Sequence, residues 1–151
     1  MINHPGIIMA LDIGDKRIGV AVSDPTQTLA SLRPAFPNGT NGPKIASRIA
    51  SVEQAILILV GIPYLPSGKK GTQAEHTEKF ISHLSDMTAT PISTVDERLS
   101  SIQASRLLSN STNNSLKTKR DKGIVDSAAA AVILQSYLDS KKRPSINPIK
   151  I

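Results

Sequence analysis

Three carboxylates on three separate stretches of the chain, Asp12, Glu97 and Asp126, are the residues best placed to do chemistry. Asp12 closes the apolar run Ile7–Leu11. Glu97 follows the short run Pro91–Val95 within Val95-Asp96-Glu97-Arg98, and Asp126 lies in an almost uncharged helical stretch from Ile124 to Leu138. Acids at the edges of apolar elements are costly to desolvate. They persist more easily when they share a cation, and a divalent cation beside a basic surface points to phosphodiester chemistry. Each acid also has a plainer reading. Asp12 can start a turn, Glu97 can stand beside an Asp96–Arg98 surface ion pair, and Asp126 can serve the positive end of a helix.

The basic surface is present: the 151 residues carry a formal net charge of +6. That balance favours a polyanionic partner, nucleic acid first. Lys16, Arg17, Lys69, Lys70, Arg98 and the cluster Lys117, Lys119, Arg120 and Lys122 are the candidates for holding a phosphate backbone. With only two Tyr, two Phe and no Trp, backbone contact is favoured over stacked bases. The absence of Cys removes disulfides, thiolate metal sites and cysteine nucleophiles. His76 and His83 can share a helix face, but neither they nor His4 show metal-ligand spacing, and solvated helix residues are the simpler reading. No apolar run approaches the ~20 residues of a membrane span, and no signal peptide is visible, so a cytoplasmic protein without membrane contact is expected.

The elements that must position these residues follow from apolar patterning. Ile7–Leu11 reads as a strand covered on both faces, and Ile18–Ser23 as its antiparallel hairpin partner. Thr26–Leu32 supplies a third strand, ending before Pro34. Ala35–Pro43 is a loop, Lys44–Gln54 a helix and Ala55–Val60 a buried strand. A helix over 72–87, a strand over 91–95, a helix from Ser100 or Ser101 through Leu108, a loop over 110–119 and a last helix to Leu138 complete the order. Residues 1–138 form one domain, and 139–151 a basic, frayed tail. Hairpins followed by alternating elements predict an α/β fold with a mixed sheet, antiparallel at first and parallel later, and helices on both faces. In such sheets ligands gather beyond the C-terminal ends of the parallel strands, where Asp12 and Glu97 both fall. If the last strand continues through Asp96 and Glu97, only one of the two can face the site. At helical spacing Asp126 aligns with Ala129, Ala130, Ile133 and Tyr137.

Four segments together resemble a known family. Ala10-Leu-Asp12-Ile-Gly14-Asp-Lys-Arg17-Ile-Gly19 through Asp24 is similar to the opening signature of the YqgF/RuvX family, the Holliday junction resolvase or pre-16S rRNA nuclease group. Val60-Gly61-Ile-Pro63 with Gly68–Glu75, Val95-Asp-Glu97-Arg98-Leu-Ser and Lys122-Gly-Ile-Val-Asp126-Ser-Ala-Ala follow in the family's order over roughly residues 7 to 138. The loop departs from the pattern: Pro66-Ser67-Gly68 stands where members often carry an acid before the glycine. The resemblance implies an RNase H-like fold and a Mg²⁺-dependent (or Mn²⁺-dependent) nuclease that matures the 5′ end of 16S rRNA, in contact with ribosomal particles. It implies Asp12, Glu97 and Asp126 as catalytic residues and metal ligands. Such a set holds one ion or two, the latter roughly 3.5–4 Å apart. Asp12, on the central strand, is then the bridging ligand.

Three other readings stay open. The Asp-x-Gly hairpin also suits a nucleotide-binding ATPase or sugar-kinase relative, although that fold needs two lobes. A ribosome-assembly factor that binds RNA with little catalysis would keep its salt-dependent affinity without the three acids. A junction resolvase acting on branched DNA would usually be a dimer. No long exposed apolar helix face demands one here, so a monomer is the expectation.

Overall fold

The computed structural model describes residues 5–99 and 127–142. Its elements are β1 (Ile7–Ile13), β2 (Arg17–Ser23), β3 (Ala30–Pro37), α1 (Gly42–Glu53), β4 (Ala55–Ile62), α2 (Thr72–Ser85), β5 (Ile92–Asp96), a 3-10 turn (Glu97–Leu99) and α3 (Ala128–Lys142). The five strands form one sheet in the order β3-β2-β1-β4-β5. β1 pairs antiparallel with β2, and β2 with β3. β4 lies parallel to β1 on its other side, and β5 parallel to β4. The mixed sheet is the one the sequence predicts, and β1 is its centre.

Strand alternation divides the core in two. Met9, Leu11 and Ile13 of β1 and Ile58 and Val60 of β4 face α1 and α2, where Phe80 and Leu84 close the layer. Ile8, Ala10 and Leu59 face α3, packing on Ala130, Ile133, Leu134 and Leu138. These aliphatic side chains are almost wholly removed from water, which supplies the main favourable term for the fold. Ala10 on the α3 side fixes the direction of Asp12, two residues on.

Several boundaries shift by one or two residues from expectation, and three elements, β3, α1 and α3, differ for an identifiable physical reason or by more. β3 spans Ala30–Pro37 instead of Thr26–Leu32: Thr26–Leu29 lie in the turn that Asp24 organises, and the strand runs on through Pro34. It is an edge strand, so missing N–H groups can face outward, and a register shift between Ile18 and Val20 of β2 absorbs the irregularity. α1 starts at Gly42, with Pro43 in its first turn where no N–H partner is needed. α3 continues past Leu138 to Lys142, so the first residues of the expected tail are helical. The expected helix from Ser100 or Ser101 and the loop over 110–119 lie outside the described residues.

Candidate active site

β1, β4 and β5 point the same way, so their C-terminal ends share one end of the sheet. Asp12 stands there on the α3 face. Its register partner on β2 is Gly19. On the other side, Leu11 pairs with Val60, which brings Gly61 alongside the next position. Glycine therefore occupies both flanks of Asp12, and neither strand places a side chain over the carboxylate.

Glu97 fills the space on the β4 side. β5 ends at Asp96, and the 3-10 turn that follows swings Glu97 over Gly61. A Cβ on Gly61 would lie 2.7 Å from Glu97 Cγ, 2.9 Å from its Oε2 and 2.7 Å from Ile133 Cδ1. The carboxyls of Glu97 and Asp12 are hydrogen-bonded to each other. Burial first, then the charge of Asp12 and this hydrogen bond, push the Glu97 carboxyl up to about 8. Two acids that share one proton mark a place where positive charge is wanted.

Of the two neighbouring acids, Asp96 is taken by Arg98. Its Oδ1 accepts the Arg98 backbone N–H at 2.9 Å, and its Oδ2 receives Nη2 at 2.6 Å. These bonds hold the Asp96 carboxyl below the usual carboxylate range. Arg98 also stacks 5.6 Å from the Tyr64 ring centre and reaches the Pro66 carbonyl at 3.4 Å. It thus ties the end of β5 to the loop after β4. The strand does not continue through Glu97, as the expectation of a single acid facing the site supposed; it ends at Asp96, and the 3-10 turn, not strand alternation, brings Glu97 to Asp12.

The other candidate residues divide by position. Lys16 is exposed on the β1–β2 turn, and Arg17 is half-buried at the start of β2. Lys69 is exposed on the loop after β4, while Lys70 forms a 2.7 Å ion pair with Glu78. Asp126, Lys117, Lys119, Arg120 and Lys122 lie outside the described residues. Among the described residues no group of three His, Asp or Glu gathers as a metal cage.

Two contributors are not evident from residue type. Gly61 reads as the end of an apolar strand; its signal is a glycine inside that strand, which marks close approach by another group. Ser127 is fully buried. Its hydroxyl accepts the Val20 N–H at 3.0 Å and donates to the Arg33 carbonyl at 2.7 Å. Val20 and Arg33 are cross-strand partners beside the register shift, so Ser127 bridges the ladder there and fixes the start of α3 against β2.

A mixed sheet of this order, with Asp12 and Glu97 meeting beyond the ends of its parallel strands, is an RNase H-like fold. Solved structures share the fold. The Fowlpox virus resolvase in complex with Holliday junction DNA superposes with a TM-score of 0.54 at 15% identity, covering 90% of this chain and 99% of that one. T. thermophilus RuvC in complex with a Holliday junction substrate gives 0.55 at 10% identity, covering 92% and 97%. The chain belongs to the RuvX family, described as Holliday junction resolvase, whose model matches residues 6–140. A relative from Roseiflexus sp. named "Putative pre-16S rRNA nuclease" is 38% identical over 94% of this chain and 100% of its own length. A protein of the same name from Thermoanaerobacter pseudethanolicus is 37% identical over 89% and 97%. The chain is accordingly a nuclease, a hydrolase acting on nucleic acid. No helix among the described residues is long and apolar enough to cross a membrane.

Proposed function

We propose that the chain is a divalent-metal-dependent endonuclease that trims precursor 16S rRNA in the cytoplasm. The observation that carries the metal is the Asp12–Glu97 pair: two carboxyls joined by a hydrogen bond, with Glu97 held protonated near neutral pH by burial and by its neighbour. Carboxylate oxygens are the hard donors that suit Mg²⁺ or Mn²⁺. When bound, such an ion supplies Lewis acidity and a water of lowered pKa.

The chain's own residues do the rest. Asp12 and Glu97 provide ligand oxygens from two different strand ends, so the fold sets their separation. Gly61 makes room for Glu97 beside Asp12, and Gly19 leaves the other flank of Asp12 without a side chain, open to a phosphate. Lys16, Arg17, Lys69 and the Lys117–Lys122 segment hold the substrate backbone. Arg98 keeps Asp96 out of the ligand set and steadies the neighbouring loop. Asp126 is the third ligand in this reading. It directly precedes Ser127, whose hydroxyl is fixed to Val20, the neighbour of the Gly19 that faces Asp12.

The names of the curated relatives favour precursor rRNA, and the family description favours branched DNA. One experiment separates them. The purified chain and Asp12→Asn are incubated with precursor 16S rRNA and with a four-way DNA junction, each with and without Mg²⁺. Metal-dependent cleavage of the RNA that disappears in Asp12→Asn is the expected result. Cleavage of the junction alone moves the substrate to branched DNA, and undiminished cleavage by Asp12→Asn removes the acidic site.

A further inference from the structure

A second feature at the same end of the sheet belongs to the opposite face. An open cleft of about 540 Å³ lies between the β1–β2 turn, the β3–α1 connection and α2. Its volume is in the range of small-molecule sites. Ile13, Pro43 and Phe80 give it an apolar floor. His76, Lys79 and His83 line it from α2 at helical spacing, so one face of that helix presents a row of nitrogen donors. Among the described residues the single carboxylate in the lining, Asp15, belongs to the β1–β2 turn.

The cleft is braced against the strand that carries Asp12. Gln73 on α2 donates to the Ile13 carbonyl at 3.0 Å. Asn38 donates to the Gly14 carbonyl at 2.7 Å. Both walls are thus pinned to the two residues that follow Asp12, and the exposed Lys16 sits on the turn between cleft and acids. The two histidines form no metal cage, since no third ligand joins them among the described residues.

We infer that this cleft seats a nucleotide of the single-stranded RNA flanking the cut, with its sugar and base on the apolar floor and its phosphate on His76, Lys79 and His83. The apolar floor matches sugar and base, the donor row matches the phosphate, and bracing to Ile13 and Gly14 places the nucleotide next to Asp12. The substrate strand would then round the β1–β2 turn past Lys16, from the acids on one face of the sheet to the cleft on the other. The inference rests on the nuclease reading, which it extends to the substrate's path.

The test is binding of a labelled single-stranded oligoribonucleotide without divalent cation, so that nothing is cut. Lys79→Glu and the pair His76→Ala/His83→Ala change exposed residues of α2. Lys79→Glu should weaken binding about tenfold and lower the salt slope by about 1. The histidine pair should weaken it by a smaller factor. In the unmodified chain, titration with cytidine 5′-monophosphate should shift the backbone amides of Asp15, Gly39 and Thr40. Unchanged affinity in both variants, or amide shifts confined to other parts of the chain, would overturn the inference. Metal-dependent cleavage that persists beside such a result leaves the nuclease reading standing. Binding in the cleft without any cleavage rejects only the nuclease reading.

Discussion

Glu97 lies in the space that a side chain on Gly61 would fill: a methyl group there would stand 2.7 Å from Glu97 Cγ and 2.9 Å from Oε2. The same methyl would meet Ile133 Cδ1 at 2.7 Å, so it has no direction in which to relax cheaply. Gly61→Ala should therefore displace Glu97 from Asp12. The expected outcome is a stability loss of about 1–3 kcal/mol from overpacking, with cleavage reduced at least a hundredfold. Thermal unfolding and a cleavage assay on the same preparation check this. Wild-type activity in Gly61→Ala would show that the Glu97 position is not needed.

The Asp12–Glu97 pair also sets a pH dependence. Glu97 has its carboxyl raised from 4.5 to about 8 in the folded chain. Between those values the folded state binds a proton that the unfolded state has released, so stability falls as pH rises through the window. The slope is at most about 1.4 kcal/mol per pH unit. Metal-free protein should lose denaturation midpoint from pH 5 to 8. Glu97→Gln should flatten that loss and abolish cleavage, and added Mg²⁺ or Mn²⁺ should offset it in the unmodified chain. Denaturant titrations at several pH values read all three. A Glu97→Gln profile parallel to that of the unmodified chain would sink the assignment.

How much of this was legible beforehand depends on the kind of signal. Continuous runs such as Ile7–Leu11 and Ala55–Val60 carry their own burial pattern, so the sheet's centre and the end of β1 at Asp12 are readable from residue type. The end of β3 is not legible, because Pro34 looks like a terminator and only the edge position of the strand makes it tolerable. The choice between Asp96 and Glu97 is invisible in a run of charges. It is made by the strand ending at Asp96 and by Arg98 taking that carboxylate. His76 and His83 are the exposed helix residues that the sequence predicts; the cleft they also line is not legible, because Ile13, Asn38 and Pro43 come to it from distant parts of the chain.

Arg98 is predicted to matter for order more than for stability. Its pair with Asp96 is exposed on the arginine side, and such pairs contribute below about 1 kcal/mol. Its contacts to Tyr64 and Pro66 nevertheless tether the loop after β4. Arg98→Ala should leave thermal stability within that margin while limited proteolysis between residues 64 and 71 becomes faster. Arg98→Lys should behave like the alanine variant, because a lysine cannot reproduce the fork that grips both Asp96 oxygens. Equal cleavage rates in all three proteins would show that the tether is idle.

Ser127 offers the sharpest test of how α3 is tied to the site. Its hydroxyl is fully buried and satisfies both the Val20 N–H and the Arg33 carbonyl. Ser127→Ala leaves those two groups facing each other across a gap, at a cost of about 1–3 kcal/mol. The residue before it, Asp126, is the proposed third ligand, so a loosened helix start should also raise the metal concentration needed for half-maximal cleavage. A metal titration of cleavage, run well below the variant's melting temperature, separates the two effects. A shifted midpoint with an unchanged maximal rate supports Asp126 as a ligand positioned through Ser127. A stability loss with an unshifted metal midpoint would confine Ser127 to holding the helix against β2 and would leave the third ligand to be sought elsewhere in the chain.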